Sequence, residues 1–80
     1  MKPAAIKKLV ENNELEALQK AEEELMEEKT PSVEVDGSDE GEQLTHILAA
    51  VWIKQQMQKN NSDLKTELRN YTQRVRTSIN

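Results

Sequence analysis

Apolar residues recur at helical spacing in separate stretches of the chain, and polar clusters part them. Ile6, Leu9 and Val10 stand at i, i+3 and i+4, which places them on one helix face. Pro3 sits just ahead, where a missing N–H costs nothing. A short helix over about 3–11 is predicted. Asn12-Asn13 interrupts it, and Asn13 with Glu16 three residues on suits an N-cap and a reaching glutamate. The second helix is expected over about 14–29. Leu15, Leu18, Leu25 and Met26 form its stripe, and Ala17 and Ala21 its close-contact positions. The alternative is one bent helix running through the two asparagines.

Thr30-Pro31 ends this element, because the residue before proline is pushed out of the α region. Residues 30–38 read as a crossing loop with Val33 and Val35 docked on the core. A strand there would need a partner from another chain. The third helix is predicted over about 39–59, opened by a capping box of Asp39 and Glu42. Leu44, Ile47, Leu48, Val51 and Trp52 make a wide stripe, and Ala49, Ala50 and Ile53 extend it almost all round. A helix apolar on most sides is buried on most sides, so this is the central one. Asn60-Asn61 stops it, and Ser62 or Asp63 caps a fourth helix over about 63–79. There Leu64, Leu68, Tyr71, Val75 and Ile79 follow at spacings of 4, 3, 4 and 4.

The expected fold is therefore all-α: a single domain over 1–80, built as a small helical bundle of three main helices plus a short N-terminal helix. Composition agrees. Hydrophobic residues are 35% and charged residues 32% of 80, with 2 Gly, 2 Pro and no Phe, which disfavours a β-sandwich or barrel. The absence of cysteine excludes disulfides, thiolate metal sites and thiol redox chemistry. The longest uncharged apolar run, Ile47 to Ile53, is far short of the roughly 20 residues that span a membrane. Met1-Lys2-Pro3 precedes no apolar signal core, so a soluble, cytoplasmic protein with its native start is expected.

Charge is uneven. Residues 1–53 carry 5 lysines against 13 acids, and residues 54–80 carry 6 basic residues against 2 acids, so a net of −8 precedes a net of +4. The acids cluster on the second helix at Glu22, Glu23, Glu24, Glu27 and Glu28. Lys65, Arg69, Arg74 and Arg76 lie off the apolar stripe of the fourth helix and form a candidate anion or nucleic-acid face. With the short turn before it, that helix and the third resemble a helix-turn-helix pair. Opposite charge can also be satisfied within the fold or between two copies.

Catalytic groups are scarce. His46 is the only histidine, and Glu42 at i−4 could share a metal with it, with Asp39 a turn further back. Such an exposed pair is a weak site, and the expected reading is a surface or boundary histidine. No Gly-x-Ser-x-Gly or glycine-rich phosphate loop is present. No catalytic, cofactor or metal residue is assigned, and the chain is not expected to be an enzyme. Trp52 reads first as core and second as a partner-facing anchor, with Leu48, Gln55 and Gln56 along the same flank. The apolar girth of the third helix exceeds what its neighbours can cover, so a homodimer is expected.

Met1-Lys2-Pro3, Ile6-Lys7, Leu9-Val10-Glu11-Asn12-Asn13 and the closing Arg74-Val75 and Ser78-Ile79-Asn80 resemble a family of short uncharacterised bacterial proteins, mainly from Bacteroidetes. The resemblance spans nearly the whole chain and implies no assigned activity. It implies an association with thioredoxin-like and peroxiredoxin genes, hence an accessory role beside redox proteins. Without cysteine the chain would assist such chemistry only. The function expected is a non-enzymatic protein–protein interaction module that self-associates; the alternative is a nucleic-acid-binding helix-turn-helix protein using the last helix.

Overall fold

The computed structural model describes residues 2–79, with side chains as far as Arg76. The described chain forms helices α1 (Pro3–Asn12), α2 (Leu15–Met26), α3 (Glu40–Asn60) and α4 (Leu64–Ile79) in an all-α bundle. No strand occurs among the described residues. The other three helices all pack on α3, and α1 also touches α4. Ile79, the last position of the stripe expected on α4, lies outside the described side chains.

The core follows from the apolar spacing. Ile6, Leu9 and Val10 of α1 and Leu18, Ala21 and Leu25 of α2 close on Ile47, Ala49, Ala50, Val51 and Ile53 of α3. Buried positions take up more than half of the circumference at the middle of α3. Its two small alanines let neighbouring helices approach closely. Leu64, Leu68 and Tyr71 of α4 pack against this cluster, and so do Val33 and Val35 of the crossing loop.

Two polar contacts fix the direction of α1. The Lys2 N–H donates to His46 Nε2 at 3.0 Å, and Lys54 Nζ donates to the Val10 carbonyl at 3.0 Å. Both link residues 44 apart, so α1 and α3 run parallel in matched register. The side chains of α3 thereby engage backbone groups at both ends of α1, which an isolated helix leaves unsatisfied.

The ends of the elements depart in part from the sequence pattern. Asn13 does not cap α2. Its backbone is extended, and its side-chain amide donates back to the Leu9 carbonyl at 3.0 Å, closing α1. Glu14 precedes α2 without a side-chain cap. The extended backbone at both residues separates α1 from α2 and rules out a single bent helix. At the other end α2 stops at Met26 rather than near Lys29. Lys29 N–H bonds to Glu24 O at 2.8 Å and Glu28 N–H to Leu25 O at 3.1 Å, with Glu28 at φ 61°. This is a Schellman ending with glutamate where glycine is usual. Met26 leaves the expected stripe and is 66% exposed, because the buried line of α2 runs through Leu18, Ala21 and Leu25, about 100° away.

Asp39 caps α3 by accepting from Glu42 N–H at 2.8 Å, but the Glu42 carboxylate accepts from the Ser38 hydroxyl instead of closing the box. Asp63, not Ser62, caps α4 through Thr66 N–H at 2.8 Å. In the crossing loop Gly37 has φ 156°, and a Cβ there would stand 2.8 Å from Gln43 Cγ and 3.0 Å from the Gln43 nitrogen. Two substitutions should therefore move stability in opposite directions. Glu28→Gly relieves a left-handed residue and should add about 0.5–1 kcal/mol. Gly37→Ala should cost about 1–3 kcal/mol through backbone strain and the clash with Gln43. Urea midpoints of the two variants check both signs.

Candidate functional site

The polar groups in the interior come first, because any chemistry would need them. His46 is 0% exposed, so it is no surface or boundary histidine. The phase of α3 turns it inward toward the start of α1, and two backbone groups replace its water. Nδ1 lies 2.7 Å from the Asp36 carbonyl, an acceptor, and Nε2 accepts from the Lys2 N–H. These partners set the tautomer: the proton sits on Nδ1 and the Nε2 lone pair is occupied. No lone pair remains for a metal. Glu42 is turned to Ser38 and Asp39 to its own cap, so the candidate pair does not converge. Among the described residues no group of three or more metal-ligating side chains occurs.

Glu67 is the second buried polar residue, 2% exposed. It accepts from the Ser62 hydroxyl, Asn60 Nδ2 and Asn70 Nδ2. The Ser62 hydrogen bond holds its carboxyl below the ordinary glutamate value; burial opposes this, and the two asparagine amides reinforce it. Glu67 thus ties the end of α3, the turn and the start of α4 with neutral donors. Its sequence signal is only a lone acid on an otherwise basic helix, beside an Asn-Asn-Ser turn. Lys54, which closes α1, was likewise indistinguishable from a surface lysine. Glu24 plays a similar part on α2, accepting from Ser32 N–H at 2.8 Å and Ser32 Oγ at 2.9 Å to pin the crossing loop, and these bonds lower its pKa.

The surface holds the remaining candidates. Leu48 is 45% exposed on a helix otherwise buried through its middle, and Gln55 lies about 20° from it in helical phase, also exposed. Trp52 is half-buried at the margin of this stripe. Its ring lies 5.6 Å from Tyr71 at a tilt of 52°, and Arg74 Cζ stands 5.6 Å from its centroid. It is therefore neither deep core nor a bare anchor: α4 roofs it. Gln56, half-buried, accepts from Asn60 Nδ2 at 3.3 Å.

The four basic residues of α4 separate. Lys65, Arg69 and Arg76 are exposed and fall within about 40° of one another around the helix, whereas Arg74 is roughly opposite, over Trp52. Lys7 and Glu11 of α1 join Asp63, Leu64, Lys65 and Leu68 around an open groove of about 570 Å³. The contacts Asn60–Glu67 and Trp52–Tyr71 show α4 running back antiparallel along α3.

Acid should unfold this hairpin through Glu67. A lowered carboxyl pKa contributes stability that is complete above the unfolded-chain value, about 4.5, and is lost as pH falls through the folded one. Glu67→Gln should be less stable than wild type at pH 7, with the difference shrinking as the pH falls below about 4.5. Because the donors are neutral, added salt should leave the effect in place. Thermal melts across that range, at low and high salt, check it; a constant difference would refute the role.

Comparison with known proteins adds a family and no activity. No curated protein and no solved structure matches the chain. A family model described as a family of unknown function (DUF6952) matches residues 1–80. Over its full length, then, this chain is a member of the DUF6952 family, a family of unknown function.

Proposed function

We propose that this protein is a non-enzymatic protein–protein interaction module that self-associates through the solvent-facing stripe of α3. The observation that carries the reading is Leu48, 45% exposed in the middle of the helix that organises the core. Gln55 lies beside it, and Trp52 and Gln56 line its margin. An apolar stripe with amide neighbours suits a contact that is dry at the centre and polar at the rim. The interior argues the same way. His46, Lys54 and Glu67 are committed to backbone groups and turns, which leaves their chemistry to the fold rather than to a substrate.

A second reading has one observation in its favour. Lys65 and Arg69 share a flank, with Lys7 across the groove, and such a stripe could follow a phosphate backbone. The net charge of −4 weighs against it.

Light scattering from micromolar to millimolar concentration should show a mass rising above that of the monomer. Leu48→Glu should lower the mass at every concentration, by removing the α3 contact, with an unchanged helical spectrum. Monomer mass throughout for the wild type would reject the proposal. Salt-dependent binding to mixed-sequence duplex DNA, lost in Lys65→Glu/Arg69→Glu, would promote the second reading.

A further inference from the structure

Two features outside the α3 stripe complement each other. The first is Met26, the most exposed large apolar side chain among the described residues at 66%. It projects from the end of α2 beside Glu23 and Glu27, both exposed. Residues 15–39 carry nine acids against two lysines, a net of −7. The second is the groove between α1 and α4, where the half-buried Leu64 and Leu68 lie between Lys7 and Lys65. Arg69, about 40° from Lys65 around α4, extends its basic flank. Of the two acids at the groove, Asp63 is already engaged in capping α4.

The plug and the groove cannot meet within one molecule. Gln58 of α3 lies with Leu15 at the start of α2, whereas Trp52 and Asn60 face α4. In helical phase these directions are at least about 120° apart around α3. The apolar and charged halves of the match therefore have to come from different copies.

We infer that copies of this chain also join head to tail, with the Met26 end of α2 seated in the α1–α4 groove of a second copy. Met26 covers Leu64 and Leu68, while Glu23 approaches Lys7, Lys65 and Arg69, and Glu27 exchanges its exposed pairing with Lys29 for the same bases. The two patches differ, so the contact is heterologous and propagates into a ring or an open chain rather than closing as a pair. It shares with the Leu48 proposal only the identity of the partner, and the Leu48 stripe takes no part in it.

The chain has no cysteine, which makes pairwise cross-linking clean. Glu23→Cys and Lys65→Cys copies, mixed under mild oxidation, should form the mixed disulfide about tenfold faster than either forms its own dimer, since only that pair is brought within bonding distance. The preference should persist in the Leu48→Glu background, which separates this contact from the α3 stripe. It should fall with added salt and vanish when Met26→Asp is placed in the Glu23→Cys copy. Equal rates for all three pairs, or dominance of the Glu23→Cys homodimer, would overturn the inference. So would loss of the preference on adding duplex DNA that binds wild type but not Lys65→Glu, because the flank would then belong to nucleic acid.

Discussion

A helix that is apolar on nearly every side has to be covered on nearly every side, and α3 imposes that demand on the whole chain. Its 21 residues make it the longest element, and buried positions take up more than half of the circumference at its middle. Three flanking helices and a loop are needed to cover it. The order of the chain follows: α1 on one side, α2 on another, the loop across the start of α3, and α4 returning along its far end. The side that carries Thr45, Leu48 and Gln55 is left exposed. The apolar surface that organises the fold is thus the same surface that leaves a contact over.

Covering a helix with short helices creates a second problem, because each short helix exposes unsatisfied backbone at its ends. The buried polar side chains answer it. His46 takes up the Lys2 N–H and the Asp36 carbonyl, so one ring joins the start of α1 to the crossing loop. Lys54, two turns along α3, meets the Val10 carbonyl. Glu67 gathers the amides and hydroxyl of the α3–α4 turn. These residues look like candidate chemistry in isolation. In place they are caps donated across the structure, and their energetic role is to avoid buried, unpaired polar groups.

The four helices and the docking of Val33 and Val35 were legible because spacing and burial agree: an apolar side chain at i, i+3, i+4 has one side to hide on. What the pattern could not show is which polar residue serves which end. Asn13 reads equally well as a cap for the following helix or a closure for the preceding one, and the Leu9 carbonyl decides it. Met26 matches the spacing of Leu15, Leu18 and Leu25, yet α2 reaches its end there and the core line has already passed by. His46, Lys54 and Glu67 depend on groups 44, 44 and 3–7 residues away, and periodicity carries no information about partners of that kind. The basic set on α4 was visible as a composition, but phase splits it: Arg74 turns to Trp52 while Lys65 and Arg69 turn to the groove.

Charge adds a constraint the core does not. Folding converts the uneven distribution along the chain into a spatial one, with acids on α2 and the loop and bases on α4, held apart by α3. The described ion pairs, Lys8 with Glu34 and Lys29 with Glu27, are exposed and contribute little to stability. A small protein with its opposite charges kept on different sides presents a dipolar surface, and such a surface orients approaching partners before any contact forms. For two copies of this chain the favoured approach sets the acidic side of one against the basic side of the other. The exposed apolar residues then decide whether that approach becomes a contact.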